Sequence, residues 1–417
     1  MRSVIVLFFA TILLLLGAVG PVTLAQKEMP GKPRDVPADR EEDEEELEEE
    51  KPEEEEVEED SSPKFTLAHE WKLGETYTTV TLNSFVIDVK TEREEFQVVA
   101  TSSLAFEWTI DEFEMENDDD DIGTPTSYTL KVAQAVRSQS QTTAGRDSDP
   151  APVRAWKTAG MSFKFDRASS KDEWTCTISD RAEMEEDDEG DAKICAMMQR
   201  IGTLPSIATP HDALAEEGTW EPESEYLGRF VMKCFFSTLQ SGPGPDGKVS
   251  AVTSDYEGEG TLAMVELIDP ADDESGEREE EPEGEEAAEK DEGATDEPFM
   301  LADVIYTHKG TVTMSEDGAP RQGARMKLEG TESLSLNTSA SKCIYRNLSL
   351  SGTFEPLEAE PDELTAKVTI ESTTLFFDGD AESAIADNDL AELFEVTEEE
   401  ESDKSDDGKR GAEKAGE

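Results

Sequence analysis

Residues 104–110 read Leu-Ala-Phe-Glu-Trp-Thr-Ile. Leu104, Phe106, Trp108 and Ile110 share one parity, the period-two signature of a strand with one buried face. A helix would scatter these four side chains around its circumference. The same alternation recurs on both sides. It places Tyr128, Leu130, Val132 and Val136 on one face of 127–136, Met161, Phe163 and Phe165 on one face of 160–165, and Leu364, Ala366, Val368 and Ile370 on one face of 362–372. Thr is frequent in these runs, as suits strands. Gly, Asp, Asn and Pro clusters separate them. The fold class that follows is mainly β with minor α: antiparallel meanders packed with one to three short helices.

Residues 78–90, TTVTLNSFVIDVK, depart from strict alternation. Val80 and Leu82 set one parity; Phe85, Ile87 and Val89 set the other. One extra residue near Asn83-Ser84 would restore a single face, so a β-bulge is expected there. Helical spacing is clearest in 191–202, DAKICAMMQRIG, where Ile194, Met197, Met198 and Ile201 fall at i, i+3, i+4 and i+7. Asp191 is placed to cap its start and Gly202 its end. In the 224–242 stretch, Tyr226, Phe230, Cys234 and the following aromatics allow a helix and their alternation allows a strand; the helix is the reading taken, and NDLAELF at 388–394 is read as a short helix.

The charge is concentrated. The chain has 101 Asp+Glu against 37 Lys+Arg, a formal net charge of −64. Residues 41–60, EEDEEELEEEKPEEEEVEED, carry like charges at nearly every i,i+4 spacing and only Leu47 and Val57 as apolar residues. Pro52 interrupts them, and no face is available to bury. The expected organisation is therefore a disordered acidic tether over 26–62, a β-rich body over 63–268 and 298–394, a disordered acidic insert over 269–297 and a disordered acidic tail over 395–417. A surface this acidic repels nucleic acid and anionic membrane surfaces and attracts cations and basic proteins.

The first 25 residues have Arg2, an apolar run from Val4 to Val19, and Thr23-Leu24-Ala25 at the end. This is the pattern of a signal peptide, and it implies an exported protein: periplasmic, cell-envelope or secreted. The uncharged run is also long enough to span a bilayer, so an uncleaved N-terminal anchor is the alternative. In an exported chain, the four cysteines favour two disulfides, read as Cys176–Cys195 and Cys234–Cys343.

Lys72-Leu73-Gly74-Glu75-Thr76-Tyr77 opens a Thr-rich strand downstream of the export signal. This K-x-G-E-x-Y motif resembles the first strand of a family of exported bacterial β-rich proteins, a domain of unknown function. The resemblance implies an envelope or secreted β-rich domain with no assigned activity.

Catalytic constellations are sparse. Of the three histidines, His69 lacks the second histidine of H-E-x-x-H, His211 sits in a turn-like TPHDALAEEG, and His308 shares parity with Val304 and Tyr306 as a packed strand residue. Ser339-Ala340-Ser341-Lys342 matches S-x-x-K but is embedded in alternating sequence rather than a helix. The four Asp of 116–123, ENDDDDIG, are read as a solvated loop. Asp378, Asp380, Glu382 and Asp389 occupy positions 1, 3, 5 and 12 of a calcium-loop pattern, although Ser383 stands where the turn needs Gly. Asn337 and Asn347 begin N-x-S/T sequons. Three functional readings follow. The first is a non-enzymatic exported protein with a binding or structural role and no cofactor. The second is a carrier of an apolar or lipid-like ligand lined by Met197, Met198, Phe235 and Phe236. The third is a calcium-responsive adhesive protein.

Overall fold

The structure is a computed structural model. It describes residues 63–90, 95–115, 123–143, 152–169, 173–182, 188–205, 207, 209–210, 212–239, 249–268, 298–316, 319–357 and 365–397. Residues 1–62 with the expected signal peptide and tether, residues 269–297 with the expected insert, the Asp run at 118–121, His211 and residues 398–417 lie outside these.

The described residues form one antiparallel sheet of twelve strands. The first group is β1 (Thr76–Lys90), β2 (Glu95–Met115), β3 (Gly123–Thr143), β4 (Arg154–Ala155), β5 (Ser162–Asp166) and β6 (Thr175–Asp180). Helix α1 (Asp188–Ile201), the short β7 (Thr219–Trp220) and helix α2 (Ser224–Leu239) follow. The second group is β8 (Val249–Ile268), β9 (Phe299–Glu316), β10 (Ala319–Asn337), β11 (Lys342–Pro356) and β12 (Thr365–Asp378). Helix α3 (Ala381–Asp387) and a 3-10 turn (Ala391–Phe394) close the described chain.

The spatial order is β6-β5-β3-β2-β1-β12-β11-β10-β9-β8-β7, with β4 beside β3. Two meanders therefore meet where β1 pairs with β12 along Tyr77–Lys90. The acidic insert separates partners in one hairpin, since Ile268 pairs with Phe299. The two body segments thus share one sheet.

Helix α2 lies against the inner face of that sheet and contacts β1, β2, β3, β8, β9 and β12. Tyr226, Leu227, Phe230, Val231, Cys234, Phe235 and Phe236 are all buried, so the helix is apolar almost all round. That is the character of a helix enclosed by protein. Its opposing wall is Phe85, Ile87 and Val89 of β1, Leu104, Phe106, Trp108 and Ile110 of β2, and Tyr128, Leu130 and Val132 of β3. The inward sets expected on β2 and β5 are as read from alternation; Val136 of β3 is the exception.

The register shifts between Ala105 and Phe106, where Gln134 and Val132 are their partners. This bulge turns Val136 to the outer face, into a small cluster with Val80, Ala105, Ile385 and Phe394. The bulge expected at Asn83-Ser84 is absent: β1 keeps unbroken register with both neighbours. Its apparent phase slip has another cause. Val80 faces outward under α3, while the inward positions Thr79 and Asn83 are polar. Asn83 is fully used there: its Nδ2 donates to Ser102 Oγ (3.3 Å) and Ser237 Oγ (3.1 Å), and its Oδ1 accepts from Ser372 Oγ (2.8 Å) and Cys234 Sγ (3.5 Å). A buried amide satisfied at four positions carries little penalty.

One helix start also differs from the sequence reading. Helix α1 begins three residues before Asp191, which pairs instead with Arg181 across the β6–α1 junction. The motif at 72–77 forms the turn into β1. Gly74 takes a φ of 74°, a left-handed conformation that a side chain would strain. Tyr77 Oη accepts from Lys72 N–H (2.9 Å) and donates to Glu75 Oε2 (2.9 Å).

Candidate functional site

Charged side chains gather beneath the N-terminal half of α2. Glu332 of β10 is buried at the inward phase, between Leu328 and Leu334. Its Oε1 accepts from Arg346 Nε of β11 (2.6 Å) and from Tyr226 Oη of α2 (2.7 Å). Its Oε2 accepts from His308 Nε2 of β9 (3.0 Å). Arg346 Nη2 also donates to Tyr226 Oη (2.7 Å), and the guanidinium lies over the Phe230 ring at 4.3 Å. A carboxylate has no proton to give, so His308 Nε2 is the donor; in the neutral ring, Nδ1 then accepts from Tyr256 Oη of β8 (3.0 Å).

Each partner comes from a different element, so the network ties α2 to four strands. Burial alone would raise the Glu332 carboxyl. The charge of Arg346 and the hydrogen bonds from His308 and Tyr226 overcome it and hold the group below the ordinary carboxylate range. Burial also works against the Arg346 charge, and Glu332 more than restores it. Burial, with the charge of Glu332 second, pushes the Tyr256 phenol up to about 12. Tyr256 is therefore a donor at neutral pH and a poor nucleophile.

The cluster has a polar extension. Arg346, Lys233, Asn83, Cys234, Ser372 and Thr79 border an enclosed cavity of about 20 Å³, room for about one water molecule. Lys233 donates to Thr203 O (3.3 Å), and burial followed by the Arg346 charge pulls its pKa to about 8. On the other side, Tyr256 and His308 reach an open groove with Gly258 and Gly330. These glycines flank His308 on β8 and β10. A Cβ at Gly258 would come within 2.2 Å of Tyr256 Oη, and one at Gly330 within 2.0 Å of Ser349 O.

The residues singled out from sequence are dispersed. Asp380 caps α3, its Oδ1 accepting from Ser383 N (3.0 Å). Asp378 pairs with Lys342 at 2.7 Å, and Asp389 follows α3 with a φ of 54°. Among the described residues, no three His, Cys, Asp or Glu side chains converge as a metal set, so the expected calcium ligands are not brought together. Ser339 and Lys342 sit in the β10–β11 turn, where Ser339 Oγ accepts from Met300 N (3.1 Å). Lys342 is already engaged by Asp378, and no helical turn presents the two side chains to one substrate. Asn337 and Asn347 both use their side-chain oxygens internally, accepting from Ala340 N and Thr373 Oγ1.

All four cysteines are free thiols, which corrects the expected disulfides. Cys234 hydrogen-bonds to Asn83 and Cys343 to Tyr345 O, each in its own buried setting. Cys176 of β6 and Cys195 of α1 do come close enough to interact, as free thiols. His69 is a packed residue whose Nδ1 accepts from Cys343 N (2.9 Å). Burial, then the Lys342 charge, lowers its pKa to about 4.

Sequence reasoning placed His308 inside but missed Glu332, Arg346, Tyr226 and Tyr256. A signal existed: Glu332 and Arg346 are opposite charges standing in the apolar phase of consecutive strands. Two such residues in one hairpin are the mark of a buried pair.

No protein-family model matches the chain, and no curated protein matches it. Among solved structures, the chain is similar to lipovitellin in a structure of its lipid–protein interactions, with 9% identity and a TM-score of 0.32 over 75% of this chain. It spans only 26% of that chain's length. It is also similar to the COG4313 outer membrane channel from Pseudomonas putida F1, with 10% identity and a TM-score of 0.24 over 74% of this chain and 98% of the channel. A third likeness is to OccK7 (OpdD) from Pseudomonas aeruginosa, with 8% identity and a TM-score of 0.24 over 73% of this chain and all of that one. Likenesses this distant do not establish a common fold, and they assign this chain to no family.

Proposed function

We propose that this is a non-enzymatic, exported protein of the cell envelope or its surroundings, with a binding or structural role. One observation carries the reading. Both oxygens of Glu332, the most deeply buried carboxylate among the described residues, are occupied by the protein's own side chains, and helix α2 covers the cluster. Catalysis needs a reacting atom within reach of a poised group. Here the one group of the network that borders the groove besides His308 is a phenol held protonated.

The surface left for partners is the outer face of the long strands. One ladder rung there runs Glu259, Thr307, Thr331, Ser349, Glu371, Ser84, Thr101 across seven strands. Short hydroxyl side chains with scattered carboxylates make a rigid polar face. With a chain charge of −64, basic proteins are the partners it attracts, through contacts that weaken with salt. The export pattern of residues 1–25 and the K-x-G-E-x-Y resemblance support the envelope assignment. Carriage of an apolar ligand is the weaker alternative, because α2 occupies the interior; Phe235 and Phe236 pack the core they would have to vacate.

Incubating the purified chain with ester, glycoside and peptide substrates tests the reading. The expected result is no turnover above background. Turnover that disappears in His308→Gln or Tyr256→Phe would overturn it.

A further inference from the structure

The enclosed cavity beside the Glu332 cluster is lined by hydrogen-bond donors. Arg346 spends Nε on Glu332 and Nη2 on Tyr226, which leaves Nη1 without an acceptor among the described residues. Lys233, half-buried, gives one of its donors to Thr203 O (3.3 Å) and has no carboxylate partner among the described residues. Thr79 Oγ1 accepts from Trp108 Nε1 (3.0 Å), so its own proton is available. Thr81 and Thr374 share one hydrogen bond (3.2 Å), which leaves one hydroxyl proton of the pair. All five side chains line the cavity, and no Asp or Glu does. In a chain with 101 acidic residues, that lining reverses the general character.

The charges do not balance either. Arg346 and Lys233 stand against one carboxylate, Glu332. Both of its oxygens are engaged, Oε1 by Arg346 and Tyr226 and Oε2 by His308. A proton on His308 would only add to the positive excess. Lys233, drawn down to about 8, is still charged at neutral pH. A charge held away from bulk water is costly unless it is paired. The cavity, about 20 Å³, admits one species the size of a water molecule. A water molecule would relieve the donors but not the charge.

We propose that this cavity binds a single halide ion, chloride, between Arg346, Lys233 and the Thr79 hydroxyl. A monatomic anion accepts hydrogen bonds from every direction, so it suits donors that converge from three unrelated elements. Sulfate and phosphate are too large for the space. The ion bridges α2, β11 and β1 and extends the charged cluster by one member that the chain does not encode.

Thermal unfolding of the full chain tests this, with sodium chloride compared against sodium gluconate at equal ionic strength. Gluconate screens charge in the same way but is too large to enter. The comparison is made in the natural chain and in Lys233→Met, which keeps an apolar stem. At about tenfold excess over its dissociation constant, chloride should raise the midpoint of the natural chain by about 3 °C above gluconate. In Lys233→Met the difference should largely disappear. Crystals of the natural chain grown in bromide give a reading independent of the variant: an anomalous peak inside the cavity, within hydrogen-bond reach of Arg346 Nη1. No chloride effect, or one of the same size in both chains, would overturn the proposal. So would bromide crystals without that peak, which would mean that water fills the space.

Discussion

Two stretches of the same sheet hold the interior helices by different chemistry. Beneath β2, β3 and β5 the wall is aromatic and aliphatic. Tyr128 stacks on Phe165 at 4.7 Å, Trp108 lies 5.9 Å from Tyr128, and Leu130 and Phe163 are fully buried. Polar atoms there are tied off singly, as where Tyr128 Oη donates to Gly202 O (3.0 Å) at the end of α1. Beneath β8 to β11 the apolar wall carries the Glu332 ion cluster, whose members depend on one another. The apolar half degrades by increments, since each side chain contributes its own area and volume. The charged half is all or nothing, because deleting one partner strands a buried charge.

The sharpest way to break this contrast is at Glu332. Glu332→Gln should cost about 3–5 kcal/mol in urea unfolding, because Arg346 loses its counterion in a closed site. Replacing both, as Glu332→Met with Arg346→Met, should recover most of the loss. Equal costs for the single and double variants would mean the two charges are not coupled.

In the apolar half, Leu130→Ala should cost about 2–5 kcal/mol by the same measurement, set by the cavity left behind. No second substitution of a distant residue should rescue it. Rescue of that kind would erase the distinction between the halves.

Acid titration separates the two further. His69, beside the end of β11, has its folded pKa lowered to about 4 from an unfolded value of about 6.5. The unfolded chain then takes up a proton that the folded chain refuses. Its stabilising contribution is complete above about pH 6.5 and is lost as pH falls toward 4. Glu332, with its folded pKa depressed, adds a second loss only below the ordinary carboxylate range. His69→Gln should flatten the first stage and leave the second. A stability profile unchanged by that substitution would contradict the assignment.

The smallest effect is expected outside both halves. Asp380→Ala removes the N-cap of α3 and should lower stability by about 1 kcal/mol, read as a small shift in thermal midpoint.

How far the sequence could be read follows the same divide. Alternation in 104–110 and 160–165 gave the inward faces correctly, because both strands bury one apolar side and nothing local competes. Helix α2 was the reading taken for a stretch that alternation also allowed as a strand, and the structure shows the helix. The β1 segment was misread because Asn83 and Thr79 are inward yet polar, and Val80 is outward yet buried under a helix that follows some 300 residues later. Parity cannot show which face acquires a second cover. The charged cluster escaped for a related reason. Its five residues lie on five elements, from Tyr226 to Arg346, and only the sheet order brings them together. Neither Glu332 nor Arg346 stands out from the many surface charges unless the phase of its strand is weighed. The cysteines were paired by count and compartment, whereas the fold holds Cys234 in α2 and Cys343 in β11 in separate buried settings and leaves Cys176 and Cys195 as neighbouring free thiols.

The sheet encloses α2, and the Glu332 cluster holds it there. Native-state hydrogen exchange on Ser224–Leu239 tests this most directly. Enclosure predicts that the α2 amides exchange as slowly as those of β1 and β12, through global unfolding alone. Exchange of α2 that is orders of magnitude faster than that of β1 would show a helix that leaves its sheet. It would contradict the sealed interior and favour ligand carriage instead.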